Sequence, residues 1–383
     1  MIYLDNAATT FPKPQSVIDE TCRCMREYGG NPGRGAHSLS LAAAGKVFEC
    51  REELCALFDA SDTDRVFFTP NTTYGINFVL KGLLRKGDHV LISDMEHNAV
   101  WRPIERLAEQ GVIEYDVFKT YAKSPHSSSW RICADIERHI KPNTRMVVCT
   151  HASNICSFVM PVREIGVLCK KRGILLVTDG AQGAGHEHIS MRDMNISALC
   201  VPGHKGLYGP QGSGAVILGE GITLDTLVEG GNGVASMSPQ MPLQSPERYE
   251  AGTLSTPAIA GLCEGVRTVK SRGIDEIVYG ERQMSRRIRE MLGNMKDTEL
   301  YAPEHIGSII LFNFKGIPSE TAATELDRQG VCVRGGFHCA ALAHNTLETP
   351  SGGAVRISLG MYNRQEEIAA LQKALFAAWK ALT

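Results

Sequence analysis

Short apolar segments alternate with segments of helical periodicity along most of the chain. Apolar, β-branched runs predict strands at residues 65–68, 89–92, 146–149, 174–177, 197–201 and 215–218. Apolar residues recur at helical spacing between them, near residues 73–84, 98–110 and 162–172. This alternation predicts an α/β fold in which a mostly parallel sheet is flanked by helices on both faces.

Both ends of the chain carry helical patterns of their own. Ser16-Val-Ile-Asp19 has the spacing of a capping box and predicts a helix from Ser16 toward Tyr28, and a second helix is predicted from Ser40. Residues 230–256 are rich in Gly, Ser, Pro, Met and Gln and interrupt the alternation, either as a long functional loop or as a domain boundary. Beyond them, helices are predicted near residues 257–272, 277–293 and 319–329 and from residue 364, and strands at residues 308–312, 331–333 and 354–357.

These patterns divide the chain into three parts. Residues 1–15 are proline-punctuated, and we expect them to pack with a small domain. Residues 16–255 form the predicted large domain, and residues 256–383 form a smaller C-terminal α+β domain.

Composition and charge exclude several classes of function. Of the 383 residues, 43% are hydrophobic and 21% are charged, and the formal net charge is −2. These values describe a soluble globular protein and argue against nucleic acid or an anionic membrane as the main partner. The first residues have no signal-peptide pattern, and no apolar run approaches the roughly 20 residues that span a bilayer. The twelve cysteines form no CxxC pair, so we expect a reducing, cytoplasmic compartment without disulfides.

Motifs for several common ligands are missing from the sequence. There is no complete GxGxxG for a dinucleotide, and residues 82–87 lack the Lys-Ser/Thr continuation of a phosphate-binding P-loop. His186 and His188 lie close together, but no HExxH occurs, so we expect no metal site.

Polar residues follow the predicted strands, where ligands collect at the carboxyl edge of an open parallel sheet. Thr69-Pro-Asn-Thr-Thr73 leads into a helix and is either a phosphate cradle or an ordinary N-cap. Asp179 ends a strongly apolar strand and needs a partner, either a protonated pyridine nitrogen or a neighbouring Arg or cap. Further candidates at strand ends are His97, Asn154 and Gln182.

One lysine, Lys205, lies in the glycine-rich segment 201–214 between two predicted strands. Its amine can clamp a phosphate, remain a solvated charge, or form a Schiff base with an aldehyde. A phosphate cradle, an imidazole, a carboxylate, an amide and an amine together suit pyridoxal 5′-phosphate (PLP). The residues at the strand ends therefore favour the Schiff-base interpretation.

A series of short motifs occurs along the chain in the order of a known enzyme family. The motifs are Leu4-Asp-Asn-Ala-Ala8, Arg34-Gly-Ala-His37, Met95-Glu-His97, His151-Ala-Ser-Asn154, Thr178-Asp-Gly-Ala-Gln182, Gly203-His-Lys205, Tyr249-Glu-Ala-Gly-Thr253 and Arg334-Gly-Gly-Phe-His-Cys339. Nearly from end to end, the sequence resembles the class V aminotransferase family of fold type I PLP enzymes. Within that family it is most similar to the group II (SufS-like) cysteine desulfurases, with selenocysteine lyases as close relatives.

The resemblance implies how PLP would be bound. Lys205 would attach the cofactor covalently, Asp179 would pair with the pyridinium nitrogen, and His97 would stack on the ring. Gln182 would contact the phenolate oxygen, and Asn154 would lie beside the cofactor. The phosphate would be held by Thr72, Thr73, His204 and, from the neighbouring subunit of a dimer, Thr253.

The resemblance also implies a substrate site in which Lys205, His97 and Cys339 are catalytic. Arg356 would bind the substrate α-carboxylate, a bidentate task that suits a guanidinium, and His37 and Asn154 would be further substrate-binding residues. Cys339 would take the substrate's sulfur as a persulfide, in a loop carried by the small domain. The alternative is that Cys339 is one of twelve incidental thiols.

The implied function is that of a homodimeric, PLP-dependent cysteine desulfurase. Such an enzyme converts L-cysteine to L-alanine, keeps the sulfur on a cysteine and passes it to an acceptor protein. A selenocysteine lyase or another PLP-dependent C–S lyase is the alternative. A class V aminotransferase, which has no use for Cys339, and a weakly active sulfur-relay partner are further alternatives.

Three positions depart from the family pattern. Pro202 stands where the family usually has Ser or Thr, which removes a hydroxyl and an N–H from the phosphate site. Phe158 makes the segment after Asn154 bulkier near the expected pocket, and Gly206 is inserted after Lys205. These departures bear on cofactor affinity and substrate choice.

Overall fold

The structure is a computed structural model that describes residues 1–33, 35–124 and 127–382. Arg34, the first residue of one family motif, lies outside the described residues. The strands are β1 (Ile2–Tyr3), β2 (Val66–Thr69), β3 (Asp88–Ser93), β4 (Ile113–Phe118), β5 (Thr144–Thr150), β6 (Leu175–Asp179), β7 (Ala198–Pro202), β8 (Gly214–Leu218), β9 (Thr298–Tyr301), β10 (Ile309–Phe314), β11 (Val331–Cys332) and β12 (Val355–Ser358). The helices are α1 (Gln15–Glu27), α2 (Ser38–Phe58), α3 (Thr72–Leu83), α4 (Asn98–Glu109), α5 (Ser129–His139), α6 (Val162–Arg172), α7 (Thr256–Arg272), α8 (Ile274–Gly293), α9 (Ser319–Arg328), α10 (Ala341–Thr346) and α11 (Glu367–Leu382).

The central sheet has seven strands in the order β2-β8-β7-β6-β5-β3-β4. The strands from β7 to β4 pair in parallel, whereas β8 is antiparallel to both of its neighbours. The prediction of a mostly parallel sheet in an α/β fold is therefore confirmed.

Both faces of this sheet are covered, as the apolar character of its strands requires. On β5, Val147 and Cys149 belong to a core that includes residues of α2, α5 and α6. Met146 and Val148 point to the opposite face and belong to a second core with residues of α3 and α4. Successive side chains of a strand alternate between faces, so one strand serves two cores.

The C-terminal part of the chain forms two smaller sheets. An antiparallel sheet has the order β12-β10-β9, and β1 pairs in parallel with β11. Residues of α8, α9 and α11 share a third core with these strands. The division of the chain at residues 255 and 256 stays a prediction, and α7 packs against α1 and α2.

The predicted capping box at Ser16 is wrong. Helix α1 begins at Gln15, with Pro14 at the N-cap position and no side-chain hydrogen bond to the cap. The Ser16 hydroxyl lies 3.4 Å from that of Thr268 on α7 instead. Pro14 has an extended backbone, so the N-cap lies two residues before the position that the sequence pattern gave it.

Two general predictions concern the cysteines and the membrane. In the described part of the chain every cysteine is free, and Cys339 is the one that is exposed. None of the described helices is long and apolar enough to cross a membrane.

Candidate active site

A cavity lies at the carboxyl edge of the central sheet, where the predicted residues converge. It is lined by Asn71, Thr72, Thr73, His97, Ala99, Thr150, Asn154, Asp179, Ala181, Gln182, Pro202, His204 and Lys205. Five different strand ends therefore contribute to one site. The structure brings together each predicted cofactor-binding residue except Thr253.

The N-terminus of α3 forms one wall of the cavity. Asn71 is the N-cap, since its side chain accepts a hydrogen bond from the backbone N–H of Tyr74 at 2.9 Å. The Thr72 hydroxyl is therefore not needed as a cap, and this buried oxygen has no partner among the described residues. A helix N-terminus with an unused hydroxyl suits an anionic group such as a phosphate.

His204 adds a second unpaired polar atom to the same cavity. Its Nδ1 is buried and has no hydrogen-bond partner within the described ranges. Burial, together with the charges of Lys205 and Lys13, lowers the pKa of His204 to about 4. Two buried polar atoms that line one cavity and have no protein partner fit a polar ligand, because leaving such atoms unpaired costs about 1–3 kcal/mol each.

Asp179 is buried and Lys205 is half-buried, and their partial removal from water shifts their pKa values in opposite directions. Burial lowers the pKa of Lys205 to about 8, an effect that Asp179 opposes and Arg356 reinforces. Burial raises the pKa of Asp179, and a hydrogen bond from the backbone N–H of Ala181 (2.9 Å) and the charge of Lys205 oppose that rise. A lysine with this pKa presents a sizeable fraction of neutral, nucleophilic amine near neutral pH.

His97 presents a neutral ring to the cavity. It caps α4 through Nδ1, which accepts a hydrogen bond from the backbone N–H of Ala99 at 3.0 Å. The ring proton is therefore on Nε2. Burial and the nearby Lys205 lower the pKa of His97 to about 4.

Gln182 and Asn154 connect the cavity to the two ends of the chain. Gln182 Nε2 donates a hydrogen bond to the carbonyl of Ala7 at 3.0 Å. Asn154 Nδ2 donates to the carbonyl of His338 at 2.8 Å, next to Cys339. The side-chain amides of Gln182 and Asn154 therefore each donate a hydrogen bond to a backbone carbonyl of the protein itself.

Arg356 is buried beside this site, with 2% of its surface exposed. Its Nη2 is 2.7 Å from Asp5 Oδ1, and its Nη1 donates to the carbonyl of Asn154 at 2.9 Å. Its Nε has no partner in the described part of the chain. Burial lowers the pKa of Arg356, and Asp5 opposes that effect. The guanidinium is therefore oriented by Asp5 and keeps a donor for another anion.

The loop that carries Cys339 is attached to the rim of the cavity. The Cys339 carbonyl accepts a hydrogen bond at 2.7 Å from the backbone N–H of Asn98, the residue after His97. His338 and Cys339 both have left-handed backbones, with φ of 51° and 56°. This conformation is costly for residues other than glycine, and surrounding contacts must hold it in place.

His37 and Thr253 are not brought into the cavity by this chain. His37 is exposed and caps α2, where its Nδ1 accepts from the backbone N–H of Ser40 at 3.3 Å. Thr253 is exposed too, and it lines a separate cavity with Asn31 and Arg51. The family resemblance implies that Thr253 acts in a neighbouring subunit, and that role stays a prediction.

The three departures from the family pattern occupy different environments. Pro202 ends β7 and lines the cavity. A Cβ on Gly206 would lie 2.3 Å from the Ala184 carbonyl oxygen, so this inserted residue has to be glycine for the loop to pack there. Phe158 packs in the core against the ring of His305, with ring centroids 5.1 Å apart, and does not line the described part of the cavity.

Two acidic residues of the site went unnoticed in the sequence. Asp5 is the counterion of Arg356, and Glu96 is fully buried behind His97. Glu96 accepts hydrogen bonds from the Ser93 hydroxyl and, at 2.8 Å, from the backbone N–H of Thr150. Burial and the nearby carboxylate of Asp179 raise the pKa of Glu96 to about 8, although its hydrogen bonds oppose the shift. Asp5 lies in the motif Leu4-Asp-Asn-Ala-Ala8 and Glu96 in Met95-Glu-His97, and membership of these motifs was the feature of the sequence that could have indicated them.

Comparison with known sequences gives a consistent result over the whole chain. The model of the family described as Aminotransferase class-V matches residues 2–371. A probable cysteine desulfurase of Methanothermobacter thermautotrophicus is 35% identical, over 98% of this chain and 94% of the relative. A cysteine desulfurase of Yersinia pseudotuberculosis is 29% identical, over 96% of this chain and 91% of the relative.

Comparison with solved structures confirms the fold. The apo structure of a cysteine desulfurase from Thermococcus onnurineus has a TM-score of 0.90 at 27% identity and covers 100% of this chain and 95% of that chain. The cysteine desulfurase CsdA of Escherichia coli has a TM-score of 0.87 at 23% identity, with 100% and 95% covered. The second likeness shows the fold alone.

Proposed function

Because the chain belongs to the class V aminotransferase family, we propose that it is a PLP-dependent cysteine desulfurase that converts L-cysteine to L-alanine. The names of its sequence relatives and structural neighbours support this proposal. The observation that carries it is the placement of Lys205 and Asp179 in one cavity whose rim is hydrogen-bonded to the Cys339 loop.

The residues of the cavity fit PLP. The unpaired Thr72 hydroxyl and His204 Nδ1, beside the N-terminus of α3, suit its phosphate. Asp179 suits the protonated ring nitrogen, and the partly neutral amine of Lys205 suits the aldehyde. When bound there, PLP supplies an electron sink for the bonds to the substrate's Cα.

Side chains of the protein would carry out the remaining steps of the reaction. Arg356 binds the substrate α-carboxylate, and the Lys205 amine takes the proton from Cα and returns one later in the reaction. The Cys339 thiolate attacks the substrate sulfur, so that an S–S bond forms and the Cβ–Sγ bond breaks. The electron pair of the broken bond stays on the carbon, which gains a proton. The products are alanine and a persulfide on Cys339, with atoms and electrons balanced.

The same proposal includes partners. The enzyme acts as a homodimer, in which Thr253 of the partner subunit completes the phosphate site that one chain leaves without it. An acceptor protein removes the sulfur from Cys339, whose exposure makes it accessible to such a protein. We place the enzyme in the cytoplasm, where free thiols persist.

The test is an assay of alanine and sulfide formed from L-cysteine in the presence of a thiol reductant. We expect the wild-type protein with PLP to form both, and Cys339→Ala to lose most of this activity. Cys133→Ala, at a half-buried cysteine on α5, is the matched control and is expected to retain it. Alanine formation by Cys339→Ala at the wild-type rate would rule out the persulfide mechanism.

Selenocysteine provides the discriminating second substrate. The relatives and neighbours named above do not favour a selenocysteine lyase, since their names refer to cysteine desulfurases. We therefore expect the wild-type protein to turn over L-cysteine. A protein that acts on selenocysteine while leaving L-cysteine untouched would instead be the alternative enzyme.

A further inference from the structure

Two histidines are buried together directly behind Cys339. His338 precedes Cys339 and has 5% of its surface exposed, and His344 on α10 has 1% exposed. Their rings are stacked with an interplanar angle of 11°, and His338 Nδ1 is 3.2 Å from His344 Nε2. A nitrogen–nitrogen contact of this length is a hydrogen bond, so one of the two atoms carries the proton.

The neighbours of this pair determine where each proton is. His338 Nε2 is 3.1 Å from the carbonyl of Arg334, which only accepts, so Nε2 carries a proton. In a neutral ring His338 Nδ1 is then an acceptor, and His344 Nε2 must donate to it. His344 Nδ1 is left as an acceptor for the Thr349 hydroxyl, at 2.8 Å. The bonds run in one direction, from Thr349 through His344 and His338 to Arg334.

Both rings are held neutral by their surroundings. Burial, reinforced by Arg356, lowers the pKa of His338 to about 2 and that of His344 to about 4. A second proton on His338 would set its Nδ1–H against the Nε2–H of His344. A second proton on His344 would break the hydrogen bond from the Thr349 hydroxyl to Nδ1 and leave that hydroxyl only the more distant His344 carbonyl, at 3.4 Å. The direction of the bonds therefore persists throughout the range in which a cytoplasmic enzyme works.

The chain of bonds ends on Arg334, which forms an isolated antiparallel β-bridge with Arg356, the proposed substrate anchor. The Arg334 carbonyl also accepts a hydrogen bond from the backbone N–H of Arg356, at 2.8 Å. At the other side, the His338 carbonyl is bonded to Asn154 Nδ2. The side chain of His338 therefore connects the left-handed backbone before Cys339 to the residue that carries the guanidinium.

We propose that Thr349, His344 and His338 form a directed hydrogen-bond chain that fixes the position of Cys339 relative to Arg356. These are positioning residues for sulfur transfer, and this inference rests on the proposed function. The chain ends on a backbone carbonyl, which takes up no proton, so it does not deliver protons to Cys339. Its effect is to hold a costly backbone conformation in which the thiol reaches the sulfur of a substrate bound by its carboxylate.

The test compares two substitutions of His344 in the PLP-loaded enzyme. His344→Leu removes both hydrogen bonds, whereas His344→Gln keeps an N–H near the position of Nε2 to donate to His338. We expect His344→Leu to lower kcat for alanine formation about 10- to 100-fold with little change in KM, because a displaced nucleophile loses orientation while Arg356 still binds substrate. His344→Gln should recover most of the loss. Equal losses in both variants, or a change confined to KM, would overturn the proposal.

A double substitution shows whether the effect acts through the thiol. In a Cys339→Ala background, His344→Leu is expected to leave the residual rate of alanine formation unchanged. A further loss there would assign His344 a general structural role instead. If His344→Leu yields no folded protein, Thr349→Val supplies the comparison, because it removes the first donor of the chain from a half-buried position. Wild-type kcat in Thr349→Val would then overturn the proposal.

A spectroscopic readout is independent of activity. In protein with ¹⁵N-labelled histidine, the ring nitrogen shifts of His338 and His344 should both report neutral rings protonated at Nε2 around neutral pH. A positively charged ring, or an Nδ1–H form at either residue, would contradict the chain. If the wild-type protein makes no alanine from L-cysteine, the proposed function fails, and these shifts still decide whether the chain exists.

Discussion

At the scale of single residues, the site depends on two charges that burial disfavours. Lys205 and Asp179 line one cavity, and each offsets part of the shift that burial causes in the other. The result is an amine that loses its proton more readily than a surface lysine does. That property can be measured without any substrate.

We expect the apo-protein to capture PLP covalently at a rate that rises with pH up to about 8 and then levels off. The neutral amine is the nucleophile, and burial lowers the pKa of Lys205 to about 8. Below that value the rate should fall about tenfold per pH unit, as the neutral fraction does. Stopped-flow absorbance of PLP measures the rate.

Two lysine variants serve as controls for this pH profile. Lys205→Met should abolish covalent capture. Lys13→Met removes a second lysine whose pKa burial lowers to about 8, and it should keep the midpoint of the profile. A wild-type profile that keeps rising toward the pKa of an ordinary lysine would contradict the environment described for Lys205.

Some residues of the site could be predicted from the sequence and others could not. Lys205, Asp179 and His97 have chemistry that is unusual for a strand end, so position and residue type together pointed to them. Asp5 could not be assigned as the counterion of Arg356, because 351 residues separate the two and only the fold brings them together. The role of His344 could not be predicted from the sequence, because only the fold shows that it contacts His338 and Thr349.

At the scale of elements, the start of α3 is where we propose that the phosphate of PLP is held. Asn71 caps the helix and leaves the Thr72 hydroxyl without a partner among the described residues. The sequence left a phosphate cradle and an ordinary N-cap as alternatives for this segment. The structure contains the cap and an additional free hydroxyl, so the two interpretations are compatible.

Thr72→Val is expected to weaken PLP binding by about 10- to 100-fold, since a hydrogen bond to a charged group contributes about 1.5–3 kcal/mol. Equilibrium titration of the apo-protein with PLP measures this change. Thr178→Val is the matched control, because Thr178 Oγ1 is also buried and unpaired within the described ranges but does not line the cavity. Equal weakening in both variants would show that the loss does not come from contact with the phosphate.

A buried ion pair ties α2 to the segment that precedes Thr253. Arg51 Nη2 lies 2.6 Å from Glu250 Oε2, and Glu250 Oε1 accepts from the backbone N–H of Phe68 at 2.8 Å. Arg51→Met should lower the free energy of unfolding by about 3–5 kcal/mol, because it leaves a buried carboxylate without its cation. Denaturant unfolding measures the loss.

The pH dependence of this loss follows from the direction of the Glu250 shift. Burial raises the pKa of Glu250 and Arg51 opposes that rise, so the pKa rises further when Arg51 is removed. A protonated carboxyl needs no cation, and the deficit of Arg51→Met should therefore shrink as the pH falls. The double variant Arg51→Met/Glu250→Gln should be less destabilised than Arg51→Met alone. A deficit that is equal at acid and neutral pH would contradict this account.

The elements of the central sheet were predictable, because buried strands and amphipathic helices leave strong patterns. Strand β4 and helix α5 were missed. β4 is an edge strand with the mixed sequence Ile-Glu-Tyr-Asp-Val-Phe, which a buried run does not resemble. Strand β9 and helix α10 were missed as well, since each is only four to six residues long and is formed through packing against its neighbours.

At the scale of the whole molecule, one chain does not complete the phosphate site proposed here. Thr253 lines a different cavity, so its predicted contact with the phosphate requires a second copy of the chain. In a dimer with two-fold symmetry, each subunit would donate its Thr253 to the site that contains its partner's lysine.

Mixing two defective variants tests this exchange. Lys205→Ala destroys its own site, and Thr253→Ala weakens the site of its partner. A heterodimer of the two contains one complete site, so at limiting PLP a re-equilibrated mixture should regain roughly a quarter of wild-type activity if subunits pair at random. Measurement of alanine formation before and after subunit exchange follows the recovery. No recovery, with exchange confirmed by mass spectrometry, would place Thr253 in its own subunit's site or in none.

The contact between Asp5 and Arg356 also bears on how the protein is made. Strand β1 pairs with β11, and Asn6 donates a hydrogen bond to the carbonyl of Ser358, 352 residues later in the chain. A ribosome therefore releases Lys205 and Asp179, with the sheet that holds them, well before the contact between Asp5 and Arg356, the proposed substrate anchor, can form. The lysine and the carboxylate proposed to hold PLP are therefore synthesised before the residue proposed to bind the amino acid. The segment that carries Arg356 must therefore be synthesised and folded before the proposed sulfur chemistry can begin.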